Sequence, residues 1–144
     1  NSSCVCPEIL VADDDMFNLF TMENVLKSLQ LQIVTATNGK EAINAVLRRE
    51  NFRCGEACRN FKVIFMDLSM PTMDGFEATI KLKEMMTEKI ISDIPIVACT
   101  AFVDTDKEDQ SYQVGMKAWL LKPITKNKLV ETLRKFDVEI PTPE

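Results

Sequence analysis

Four apolar runs in this chain end at a residue that could do chemistry. Asp13-Asp14-Asp15 follows residues 9–12, Asp67 follows 63–66, Thr100 follows 94–99, and Lys122 follows 118–121. Carboxylates held close together repel, so they need raised pKa values or a cation between them. A hard cation such as Mg²⁺ suits oxygen donors, because it takes only one or two carboxylates and keeps waters for other ligands. A carboxylate beside such an ion can attack phosphorus and form an acyl phosphate. Phosphoryl transfer then asks its surroundings mainly for in-line positioning and neutralised charge. Lys122 can pair with one phosphoryl oxygen and the Thr100 hydroxyl with another. With no histidine in the chain and no cysteine among the residues that follow these runs, a softer zinc-type centre among them is disfavoured.

The runs can cooperate only if the fold brings their ends together. Residues 9–12, 33–36, 63–66, 94–99 and 118–121 read as buried strands. Segments of helical period alternate with them: Leu19, Met22, Val25, Leu26 and Leu29, then Ala42, Ile43, Val46 and Leu47 after the Asn38-Gly39 turn. A loop with Pro71 and Gly75 leads to a helix over 76–89, and a polar helix covers 106–114. Leu129, Val130, Leu133 and Phe136 form the stripe of the last helix. Such alternation predicts an α/β fold with right-handed crossovers and a parallel sheet covered on both faces. Ligands of such sheets bind outside the carboxyl ends of the strands, where all four run ends would meet.

Length and composition agree with this class. At 144 residues the chain suits one domain, and 46% apolar with 27% charged residues is the balance of a globular protein. A net charge of −5 argues against nucleic-acid binding, and no apolar run reaches the length of a membrane span. The start, Asn1-Ser2-Ser3-Cys4-Val5-Cys6-Pro7, lacks an initiator Met and a signal-peptide pattern, so an excised piece of a longer protein is expected. Residues 1–7 read as an N-terminal extension, 8–137 as the domain, and 138–144, within a proline-bearing end, as a tail or linker. Cys99 reads as a small core residue. Cys4 with Cys6, and Cys54 with Cys58, form two close pairs. Without histidine or a second CxxC-type knuckle, reduced cytosolic thiols are favoured over a zinc site.

The ordered stretches Ile9-Leu10-Val11-Ala12-Asp13-Asp14, Phe65-Met66-Asp67-Leu68-Ser69-Met70-Pro71, Met73-Asp74-Gly75, Ile96-Val97-Ala98-Cys99-Thr100-Ala101 and Leu121-Lys122-Pro123 resemble response-regulator receiver domains. The resemblance runs from about Glu8 to Phe136. It implies a three-layer, CheY-like, flavodoxin-like fold with strand order 2-1-3-4-5. It implies Asp67 as phosphoacceptor, Asp14 as a direct Mg²⁺ ligand, Asp13 acting through water, and the Ser69 backbone carbonyl completing the protein ligands. Mn²⁺ is the expected substitute. Thr100 and Lys122 would bind phosphoryl oxygens, with the Lys122-Pro123 bond cis. A histidine kinase or histidine phosphotransfer domain would be the donor. Asn18, the stretch Asn38-Gly39-Lys40-Glu41-Ala42 and Gly115-Met116 look like hybrid sensor kinases in particular. A cytoplasmic module, monomeric or weakly dimeric, without direct membrane contact follows from that likeness.

Three departures stand out. Trp119 replaces the Tyr or Phe that serves such domains as a switch beside Thr100, residues 48–61 form an enlarged connection before the third strand, and Asp15 stands where Asn is common. Other roles compete for several residues. The Asp triplet could cap the first helix, which remains the main reading of Asp15. Thr100 could make a local turn bond, Lys122 could lie on the surface beside a turn proline, and Trp119 could be a core aromatic. Met85-Met86 reads as helix packing. Two other functions are open: a pseudo-receiver that binds partners without chemistry, and a small-ester phosphatase. The latter would want a second acid where Ser69 stands.

Overall fold

The computed structural model describes residues 4–70 and 72–141. Pro71, the first three residues of the expected extension, and 142–144 of the expected tail lie outside the described residues. Five strands alternate with five helices: β1 (Ile9–Ala12), α1 (Met16–Ser28), β2 (Ile33–Ala36), α2 (Gly39–Asn51), β3 (Val63–Asp67), α3 (Gly75–Thr87), β4 (Ile96–Thr100), α4 (Thr105–Gln113), β5 (Ala118–Leu121) and α5 (Lys126–Lys135). All strand pairs are parallel, in the order β2-β1-β3-β4-β5. This is the doubly wound fold expected from the sequence.

Alternation along each strand divides the core into two layers. Leu10, Ala12, Ile64, Met66, Ile96 and Ala98 face α2 and α3, where Val46, Leu82 and Met86 complete the packing. Ile9, Val11, Val63, Phe65, Val97 and Cys99 face α1 and α5, meeting Leu26, Leu129 and Leu133. The strands are apolar throughout because both faces are covered.

Polar caps set where the helices start. Asp15 accepts bonds from the amides of Phe17 and Asn18, which confirms its reading as a cap. Asn38, Asp74, Asp104 and Thr125 cap the other four helices in the same way. Strand β4 begins at Ile96 rather than 94, since Pro95 has no N–H to add to a ladder and only its carbonyl pairs, with Ile64 N.

Two domain expectations need correction. The connection expected over 48–61 begins later, because α2 continues through Asn51. The irregular part is anchored by Asn60, whose amide donates to Val46 O (3.0 Å) and Glu50 Oε1 (2.8 Å). Glu50 also accepts from Ser92 N at 2.9 Å, tying this connection to the segment before β4. Nor does the packed domain stop at 137. Val138 is 2% exposed in the α1/α5 layer, its amide bonds Leu133 O, and Ile140 packs beside it.

Candidate functional site

The strand ends converge as the topology requires. Asp13 follows β1 directly, Asp67 ends β3, Thr100 ends β4, and Lys122 follows β5. Asp13 and Asp67 are only 5% and 6% exposed, Thr100 is buried, and Asp14 is exposed at the mouth. Carboxylate oxygens of Asp13, Asp14 and Asp67 lie within 4.8 Å of one another. Lys122 Nζ reaches between two of these acids, 2.7 Å from Asp13 Oδ2 and 3.5 Å from Asp67 Oδ2. Its expected inward placement therefore holds, and the surface reading does not. The Lys122-Pro123 bond is cis.

Local backbone bonds orient the acids. The Asp15 amide donates to Asp13 Oδ1 (2.9 Å) and the Ser69 amide to Asp67 Oδ1 (3.3 Å). Thr100 Oγ1 accepts from Phe102 N at 3.3 Å, so the local turn bond is made. That bond uses an oxygen lone pair and leaves the hydroxyl proton available. Gly75 permits the turn after Asp67 to close, since a Cβ there would stand 2.3 Å from the Asp67 carbonyl oxygen.

The electrostatics follow from burial. Asp67 is held up at about 6, first by desolvation and then by the Asp13 charge, against the opposing pull of Lys122. For Lys122, burial works against the ammonium, but the bond to Asp13 and the charge of Asp67 outweigh it and raise its pKa. One ammonium thus only partly offsets three acids. The shortage of positive charge and the all-oxygen donor set fit a hard divalent cation, which Asp13, Asp14 and Asp67 could hold.

Trp119 lies in β5, partly buried against the α2/α3 layer and level with Ala98. Met86 is buried and Met85 packs against the same layer, consistent with helix packing. Cys99 is a core residue, and burial pushes its thiol up to about 12. One cluster was missed by reading the sequence. Cys4, Cys6, Cys54 and Cys58 bring their sulfurs within 4.8 Å of one another. The two close pairs were the available signal, but nearly fifty residues separate them in sequence and only the fold shows that they meet.

Comparison with known proteins agrees with this geometry. The sequence model of the response regulator receiver domain matches residues 9–134. The two-component response regulator ARR22 of Arabidopsis thaliana is 35% identical, over 84% of this chain and 77% of its own length. Sensor protein GacS of Pseudomonas syringae is 31% identical over 90% of this chain, which spans only 13% of that protein. Among solved structures, the receiver domain of the Arabidopsis thaliana histidine kinase CKI1, complexed with Mg²⁺, superposes with a TM-score of 0.80. It is 28% identical and covers 91% of this chain and 92% of its own. With motifs, topology and relatives in agreement, the chain belongs to the response regulator receiver domain family of two-component systems.

Proposed function

We propose that this receiver accepts a phosphoryl group from a phosphohistidine onto Asp67. The observation that carries the reading is Lys122 Nζ set between the Asp13 and Asp67 carboxylates, with Asp14 beside them. Asp67 supplies the nucleophile: a carboxylate oxygen forms the new O–P bond as the donor's P–N bond breaks and its electron pair returns to the imidazole. Lys122 neutralises charge on a phosphoryl oxygen, and the Thr100 hydroxyl donates a hydrogen bond to another. Asp13, Asp14, Asp67 and the Ser69 carbonyl would hold Mg²⁺, or Mn²⁺ in its place. When bound, the metal supplies further neutralisation of phosphoryl charge.

The donor is read as a histidine kinase or histidine phosphotransfer domain, because no histidine in this chain can serve. Its docking place is supported by Met16, Phe17 and Phe20, three large apolar side chains left exposed on α1, next to the rim. Occupancy of Asp67 would shift a two-state surface formed by α4, β5 and α5 through Thr100 and Trp119. The sensor kinase relatives support placement in a hybrid kinase, read here as a cytoplasmic module working as a monomer or weak dimer. No described helix is long and apolar enough to cross a membrane.

Incubation with acetyl phosphate or a phosphorylated histidine phosphotransfer protein tests this reading. Uptake should require Mg²⁺ and vanish in Asp67→Asn, and normal labelling of that variant would overturn the assignment. Beryllofluoride should change the fluorescence of Trp119, the single tryptophan, only when Mg²⁺ is present. Silence in both assays would favour a pseudo-receiver. Steady phosphate release from an added monoester would favour the phosphatase, against which the hydroxyl of Ser69 in place of a second acid argues.

A further inference from the structure

The four sulfurs of Cys4, Cys6, Cys54 and Cys58 lie away from the phosphoryl rim, on the side of the amino-terminal ends of β1 and β3. The first pair immediately precedes β1, and the second lies between α2 and β3. All five cysteines of the chain stand as thiols. A bland explanation would make the cluster a small apolar patch. Its exposure argues otherwise, since Cys54 is exposed, Cys4 and Cys6 are partly so, and only Cys58 is buried. Thiols at a surface gain little from packing against one another, and two separate chain segments must be ordered to bring them together.

The mutual spacing suits a single ion. A tetrahedral centre with Zn–S bonds of about 2.3 Å has S···S edges of about 3.8 Å, inside the 4.8 Å limit that all four sulfurs meet. An iron–sulfur cluster would push its cysteines further apart, because several irons and sulfides must fit between them. The surroundings are also right for a doubly negative tetrathiolate. Arg49 Nη1 donates to Cys58 Sγ at 3.3 Å, while Nη2 bonds the carbonyls of Pro7 and Arg59. One guanidinium on α2 thus holds the residues that follow Cys6 and Cys58, and places positive charge against a sulfur. Arg53 Nη1 adds a bond to the Cys58 carbonyl at 3.3 Å. Hydrogen bonds of this kind orient ligands and tune metal affinity.

We propose that Cys4, Cys6, Cys54 and Cys58 form a closed tetrathiolate site for one Zn²⁺, stapling the segment before β1 to the connection before β3. On binding, four S–H bonds release their protons to solvent as four Zn–S bonds form. With all four positions filled by sulfur, the ion has no place for substrate, and its role is structural. This proposal departs from the expectation of simple reduced thiols, which rested on the missing histidine and the lack of a second CxxC-type knuckle. A four-cysteine site needs no histidine, and the fold brings the two separate pairs together.

The test uses the whole 144-residue chain, purified under reducing conditions. One zinc per chain is expected, and replacement by Co²⁺ should give sulfur-to-cobalt charge transfer in the near ultraviolet with the strong visible bands of tetrahedral coordination. Cys6→Ser/Cys54→Ser should lose both signals. Arg49→Gln should weaken zinc by about tenfold, the usual scale for a residue that orients a ligand. Should the cysteine variant fail to fold, thiol labelling of the native chain decides: zinc should protect four thiols that a chelator then exposes. Oxygen-type cobalt spectra alone, thiols that react equally with and without zinc, a mass loss marking disulfides, or iron as the native metal would each overturn the proposal.

Discussion

The two ends of the sheet carry two groups of would-be ligands that differ in almost every physical respect. At the carboxyl edge, Asp13, Asp14 and Asp67 offer hard oxygens, two of them buried, with Asp14 open to solvent and Lys122 lodged between partners. At the amino edge, four soft sulfurs gather with an arginine bonded to one of them. The first arrangement leaves room for a reacting group and carries unbalanced charge. The second has enough donors to close completely around an ion. On the proposed readings, reactivity belongs to the incomplete site and cross-linking to the complete one.

The sharpest way to break this comparison is to cross the variants. Asp67→Asn should abolish phosphoryl uptake while leaving the cobalt–sulfur spectrum unchanged. Conversely, Cys6→Ser/Cys54→Ser should lose the metal yet keep uptake within about threefold wherever the chain remains folded, since no cysteine of the cluster reaches the rim. Loss of uptake in the folded cysteine variant would show that the two edges are coupled. Lys122→Ala comes next. Removing the ammonium should slow uptake by about 10²-fold or more, the scale for deleting one group that stabilises transferred charge, measured as an initial rate with a small phosphodonor.

A smaller but structural effect is expected at Gly75. A Cβ 2.3 Å from the Asp67 carbonyl forces the turn apart, so Gly75→Ala should cost about 2 kcal/mol in denaturant unfolding and reduce uptake as well. An unchanged midpoint would mean that the turn has slack.

The least effect concerns pH. Asp67 has a folded pKa near 6 against an ordinary value of 3.8, so its ionisation opposes folding. The penalty is absent below about pH 4, grows through the window up to about pH 6, and is fully present above it. In metal-free protein, Asp67→Asn should therefore gain stability relative to the parent as pH rises through that window. The gain should be on the order of 1 kcal/mol after allowance for solvent screening, and Mg²⁺ should remove it. A constant difference between the two proteins across the window would contradict the assigned burial cost.

The strand and helix pattern makes the fold legible in the sequence. The runs at 9–12, 33–36 and 118–121 match the observed strands, and the ends of the first and last carry Asp13, Asp14 and Lys122 into place, as β3 does for Asp67. The meeting of Asp13, Asp14, Asp67, Thr100 and Lys122 was legible because parallel strands send all their carboxyl ends to one side of the sheet. Each of these residues ends or follows a strand, so local order suffices. Cap readings such as Asp15 were legible for the same reason.

Other features depend on contacts between distant segments. Val138 follows α5 in a stretch that reads as tail, yet it is buried because α1 and α5 leave an apolar hollow beside it. The true length of the connection before β3 rests on Asn60 and Glu50 reaching back to α2 and forward to Ser92. Above all, Cys4 and Cys6 meet Cys54 and Cys58 only because β1 and β3 are neighbours in the sheet. By itself the sequence determined which residues stand at strand ends, since that follows from local periodicity. Tertiary structure alone decided which distant side chains share a few cubic ångströms, since that depends on strand order and on how each loop packs.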